Sequence, residues 1–216
     1  MTEIEVTYCD KCGDELESSQ VGLCDSCRPR SFDELSDKAK DKAREAYISR
    51  DYPYDEWWDD VFEDFEQVCT TMGIIIDKNR KRLAVYFSGF WSQGDCATFE
   101  GSYSFADDSP RRIRAYCNDT ELHRIADELT SMQLTQRLLG LDYFAGQILS
   151  NNRVEIFDSG IDEIGEPDEE RFSDLMHDLA DWLYRRLEDE YEYLCSNEVI
   201  DEYLNDEMFD EDGTII

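Results

Sequence analysis

The sequence predicts an α+β fold: an antiparallel sheet of about three to five strands around a central hairpin, covered by about four helices, with a zinc-ribbon-like module in front. Three observations predict it. Between Leu83 and Phe105 apolar and polar residues alternate with a period of two, as half-buried strands do. On either side, apolar residues recur at spacings of three and four, the mark of helices with one buried face. Ahead of both stand Cys9-Asp10-Lys11-Cys12 and Cys24-Asp25-Ser26-Cys27, two Cys-x-x-Cys pairs. The organisation that follows is a metal module over residues 1–30, an acidic α+β domain over 31–209 and an acidic tail over 210–216.

In the first module each Cys-x-x-Cys forms a knuckle whose thiolates face one side, and two knuckles complete the S4 shell that Zn2+ prefers. Cys9, Cys12, Cys24 and Cys27 are therefore expected to hold structural zinc; redox pairs or an iron–sulfur centre are the alternatives. Gly13 provides the tight turn after the second thiolate. A helix is expected from Ser31, where Ser31 and Glu34 make a capping box, with Leu35, Ala39, Ala43, Ala46 and Tyr47 on one face. A second helix is predicted from Asp55 to Met72 on the stripe Trp58, Val61, Phe62, Phe65, Val68, Cys69, Met72, and Gly73 ends it. Ile74 to Asp77 reads as a strand, and Lys78 to Arg82 as a basic turn into the hairpin.

In the hairpin, Leu83, Val85 and Phe87 alternate on one arm, and Ala97, Phe99, Gly101, Tyr103 and Phe105 on the other, around the turn Trp91 to Asp95. Arg111 to Cys117 is a short segment, and Asn118 with Glu121 suggests a capping box for a helix running toward Leu139, with Gly140 as its break. Tyr143 to Ser150 fits strand or helix, Arg153 to Asp158 a strand, and Gly160 to Gly165 a loop. Pro167 suits a first helical position, and the stripe from Phe172 to Leu194 predicts the longest helix. Ser196 and Asn197 recap a short final helix through Val199, Ile200, Tyr203 and Leu204.

The charge bounds the partners. With 53 acids against 21 bases the net charge is −32, which opposes binding to a nucleic acid backbone and favours basic partners. Solubility or adaptation to salt is the alternative reading. No apolar run approaches the ~18 residues of a membrane span, and the N-terminus has no basic-then-apolar leader pattern, so a cytoplasmic protein is expected. Catalytic signals are sparse. His123 and His177 lie in no nucleophile or metal motif, Cys69, Cys96, Cys117 and Cys195 read as inert thiols, and there is no phosphate-cradling glycine loop.

Phe87-Ser88-Gly89-Phe90-Trp91-Ser92-Gln93-Gly94-Asp95, followed by Phe99-Glu100-Gly101, resembles a family of small, acidic, phage-encoded proteins often labelled antitoxin-like or hypothetical. The similarity runs through Phe32 to Ser36, Trp57-Trp58-Asp59, Thr120 to Ala126 and Glu190 to Leu194. It departs where Cys96-Ala97-Thr98 follows Asp95, and it does not cover the cysteine module. The resemblance implies a phage-encoded protein acting in an infected host cell. Combined with the charge, it predicts a non-catalytic decoy that inhibits a basic host nucleic-acid-binding or defence protein, through Asp59, Asp60, Glu63 and Asp64 on one helix and Glu188, Asp189, Glu192, Asp201 and Glu202 near the C-terminus. The alternative is an antitoxin or regulator that contacts nucleic acid or a toxin through the zinc module and the basic turn.

Overall fold

A computed structural model describes residues 7–17, 22–50, 53–140, 142–149, 152–157 and 166–216. The expected loop at Gly160 to Gly165 lies outside the described residues. In chain order the elements are β1 (Arg30–Ser31), α1 (Asp37–Ile48), α2 (Asp59–Met72), β2 (Ile74–Ile76), β3 (Lys78–Asn79), β4 (Arg82–Leu83), β5 (Val85–Phe87), β6 (Ala97–Phe99), β7 (Gly101–Ser104), α3 (Ser109–Tyr116), α4 (Thr120–Leu138), β8 (Ala145–Ile148), β9 (Val154–Phe157), α5 (Glu166–Leu194), α6 (Asn197–Leu204) and β10 (Met208–Phe209). The fold is α+β with antiparallel sheets, as the patterning requires.

The chain forms two compact units, Met1–Trp57 with Tyr191–Ile216, and Trp58–Glu190. These units do not follow the expected boundaries after residues 30 and 209. The reason is pairing between the chain's ends: β1 pairs with β10, Arg30 opposite Phe209. Phe32, Leu35, Ala39 and Ala43 share a core with Ile200, Leu204 and Phe209. The segment 210–216 is likewise no free tail. Lys42 Nζ donates to Asp212 at 2.6 Å, and Gly213, at φ 86°, lies where an added Cβ would come within 2.2 Å of the Ala39 carbonyl oxygen. Arg44 makes a bidentate pair with Asp201 at 2.6 and 2.7 Å, joining α1 to α6.

The Ser31–Glu34 capping box forms, but it closes only a 3-10 turn over Phe32–Glu34. The helix starts later, at α1, where the Ser36 hydroxyl accepts the Ala39 N–H. A similar shift occurs at α4: Asp119, not Asn118, is the cap, accepting from the Glu121 and Leu122 N–H groups at 2.9 and 3.2 Å. α2 begins at Asp59, later than the expected Asp55, and ends at Gly73 with φ 89°.

In the second unit four strands form one sheet in the order β2-β7-β8-β9, antiparallel throughout. The predicted hairpin is not its centre. β5 pairs with β6 over three residues each, Val85 opposite Phe99, and then the second arm leaves. Glu100 N–H donates to the Ala84 carbonyl at 2.9 Å, and from Gly101 on the chain becomes β7, the strand between β2 and β8. Gly101 permits the change because a Cβ there would lie 2.4 Å from the Ile75 carbonyl oxygen. Simple alternation cannot register that a strand changes partner midway.

Aromatic rings fill the space between sheet and helices. Phe65 of α2 meets Phe99 edge-on at 5.2 Å and stacks near Trp182 of α5 at 6.4 Å. Tyr103, Phe144 and Phe172 form a triangle with 5.2 to 5.7 Å sides. Such rings bring large apolar areas and specific geometry. Two buried amides bond backbone at strand edges, one beside β8 and one on β6. Gln133 of α4 donates to the Phe144 carbonyl at 2.8 Å and accepts its N–H at 2.9 Å, as a neighbouring strand would. Asn152, at φ 56°, binds the Phe99 N–H and the Ala97 carbonyl, each at 3.3 Å.

Replacing Gln133 by Leu leaves both Phe144 backbone groups buried without a partner, at a cost of about 1–3 kcal/mol. Urea denaturation should report that loss, whereas an exposed control such as Gln93→Leu should change stability by less than about 0.5 kcal/mol.

Candidate metal centre

The first cysteine pair sits on a small hairpin. Leu16 N–H donates to the Thr7 carbonyl at 2.8 Å, Cys9 N–H to Asp14 at 2.8 Å, and Gly13 N–H to Cys9 at 2.9 Å. Gly13 has φ 78°, a conformation that glycine adopts without strain. In the second pair the Cys24 carbonyl accepts from both Cys27 and Arg28 at 3.0 Å. Asp10 N–H reaches the Gly22 carbonyl at 2.7 Å and binds one knuckle to the other.

The four Sγ atoms lie within 4.8 Å of one another, and those of Cys12 and Cys24 are 3.6 Å apart. A tetrahedral ion with metal–sulfur bonds of about 2.3 Å needs sulfur–sulfur edges near ~3.8 Å, whereas a disulfide needs ~2.05 Å. The set fits one four-coordinate ion. Backbone N–H groups of Cys24 and Cys12 hold the Cys9 thiol down to about 6. Cys24 beside it, together with burial, pushes the Cys27 thiol up. Cys12 also moves up: the Asp14 N–H favours its thiolate, but the hydrogen bond with Cys9 and desolvation oppose it. One thiolate thus suppresses its neighbours, and a bound cation would remove that conflict. Nearby arginines are already engaged by carboxylates: Arg28 forks onto Glu34 at 3.0 and 3.3 Å, and Arg30 lies 3.4 Å from Glu211.

The carboxylates expected to meet a partner fall in both units. Asp59, Asp60 and Glu63 are exposed on α2 and make no ion pair among the described residues. Asp64 accepts a hydrogen bond from the Tyr116 hydroxyl, which pushes that phenol up to about 12. Glu188 and Asp189 lie on α5, Asp189 3.6 Å from Arg186. Glu192 and Glu202 are exposed, whereas Asp201 is held by Arg44. Sequence reading could not separate the engaged Asp64 and Asp201 from the rest, because their partners lie 52 and 157 residues away.

A cleft of about 300 Å3 in the second unit is lined by Asp119, Glu121, Trp182, Arg185, Arg186 and Glu188 among others. Both arginines in it are matched, Arg186 by Asp189 at 3.6 Å. Arg185 pairs with Glu121, and the Trp182 indole N–H donates to Asp119 at 2.9 Å. Burial tends to raise the Asp119 pKa, but Trp182 and two backbone N–H groups outweigh it and hold the carboxyl below its usual range. The histidines bond to local carbonyls, His123 to Cys117 at 2.9 Å and His177 to Ser173 at 2.8 Å. Burial pushes the Cys69 thiol up.

A cysteine-knuckle module joined to an antiparallel α+β fold is the class of protein these features define. Residues 57–197 match the family described as a domain of unknown function, DUF8835, and the chain belongs to that family. No curated protein matches, and no solved structure matches. No helix among the described residues is long and apolar enough to cross a membrane.

Purified protein should carry a single thiol-bound metal ion per chain by elemental analysis, and Cys24→Ser should lose it. In that variant limited proteolysis should cut first within residues 7–30. Asp119→Ala should cost about 1 kcal/mol at neutral pH through the lost cap. Because the folded carboxyl titrates below its unfolded value of ~3.9, the difference should persist above that value and shrink as pH falls through the folded pKa, as urea titrations across pH would show.

Proposed function

We propose that this protein is a non-catalytic acidic decoy, carrying structural Zn2+ on Cys9, Cys12, Cys24 and Cys27, that occupies the nucleic-acid-binding face of a basic host protein. Zinc is the natural ion for a closed set of four thiolates, since it fills a tetrahedral S4 shell and leaves no open position for chemistry. The observation that carries the decoy reading is the way charge is distributed. Many of the bases are drawn into pairs, among them Arg44 with Asp201, Arg114 with Asp127 and Arg124 with Asp178, while Asp59, Asp60 and Glu63 are exposed along α2 and make no ion pair among the described residues. An ordered array of carboxylates steers a cationic surface into contact and stands in for phosphates.

A regulator that grips nucleic acid is the second reading, supported by the exposed Arg80 and Lys81 in the turn between β3 and β4. It is weakened in the cysteine module, where Arg28 and Arg30 already face Glu34 and Glu211. Immobilised protein at low salt should capture nucleic-acid-binding proteins from host lysate and release them when double-stranded DNA or salt is added. Asp59→Asn/Asp60→Asn/Glu63→Gln should capture several-fold less. Capture indifferent to DNA and salt, or a direct gel shift of DNA by the pure protein, contradicts the decoy reading.

A further inference from the structure

The segment from Phe87 to Asp95 does more than join β5 to β6. Asp95 accepts the Ser92 N–H at 2.6 Å and returns its own N–H to the Ser92 carbonyl at 3.1 Å. Gly94 turns the chain at φ 98°, and a Cβ on Gly89 would lie 2.9 Å from the Asp95 carboxylate. From α5, the Tyr184 hydroxyl donates to the Gly89 carbonyl at 3.2 Å. The loop is held in one shape by its own atoms and by a neighbouring helix.

What it holds is a run of rings at the surface. Trp58 meets Phe87 at 5.5 Å, Phe62 meets Phe87 at 6.2 Å, and Phe87 stacks on Phe90 at 5.9 Å. Phe90 continues to Trp91 at 6.1 Å and to Tyr184 at 5.6 Å. None of these six rings is buried, and Trp91 is 73% exposed. Carboxylates stand beside them: Glu188 and Asp95 lie close enough to join burial in raising the Tyr184 pKa. A rigid, half-buried aromatic belt that ends on an exposed tryptophan marks an interaction surface. Ring faces are negative and attract cations, and the carboxylates add to that attraction while repelling phosphate.

We infer that this belt docks an arginine-bearing segment of a partner protein, a guanidinium stacking on the exposed Trp91 while Glu188 and Asp95 supply the countercharge. Arginine fits better than lysine because its plane stacks on rings and its charge is weakly hydrated. The inference rests on the acidic-decoy reading and locates where that decoy grips.

Fluorescence anisotropy with labelled oligo-arginine, oligo-lysine of equal length and oligouridylate tests it. Wild type should bind oligo-arginine more tightly than oligo-lysine. Trp91→Ala, which leaves the net charge unchanged and alters an exposed side chain, should weaken oligo-arginine binding about tenfold. Glu188→Gln should weaken it severalfold, with circular dichroism unchanged in both variants. Equal affinity of wild type and Trp91→Ala for oligo-arginine overturns the belt as the docking surface and leaves the decoy reading standing. Failure of wild type to bind either peptide overturns both, as does oligouridylate binding that depends on Trp91.

Discussion

Charge imbalance is the constraint to which the rest of this structure answers. A net charge of −32 repels itself, so the few bases matter by where they stand. Several stand between elements. Arg44 links α1 to α6, Arg114 links α3 to α4, and Arg124 and Arg171 bring α5 carboxylate and base against α4. Exposed pairs of this kind contribute little stability singly. Their larger effect is to place positive charge at the seams, while Asp59, Asp60 and Glu63 of α2 and Glu202 of α6 stand exposed without an ion pair among the described residues.

Cohesion must then come from apolar burial and from pairing of buried backbone groups. Phe65, Phe99, Phe144 and Phe172 are fully buried, and the side chains of Gln133 and Asn152 serve as short substitutes for missing strand neighbours. With the interior closed in this way, the exposed Trp91 and the half-buried Trp58 and Phe90 stand out as aromatic surface at the exterior.

Much of this was legible in the sequence where the signal is local. The two Cys-x-x-Cys pairs foretold the four-sulfur cluster, and the helical stripes foretold α2, α4 and α5. The signals that failed were those that depend on distant chain. The Ser31 box formed yet closed a single 3-10 turn, because Leu35 already has extended backbone at ψ 148° and Ser36 is the better start. The long hairpin broke at Glu100 because Gly101 could approach Ile75, a contact no alternation pattern encodes. The tail from 210 to 216 looked free because its partners, Ala39 and Lys42, are far away in sequence.

The most direct test of the central claim is thermal stability as a function of ionic strength in a weakly interacting salt such as sodium chloride. If uncompensated carboxylates dominate the surface, screening relieves their repulsion, and the melting temperature should climb by several degrees between ~0.01 and ~0.5 M salt. A melting temperature that stays flat or falls over that range would mean that the ion pairs outweigh the excess negative charge, and would contradict a surface governed by its surplus of carboxylates.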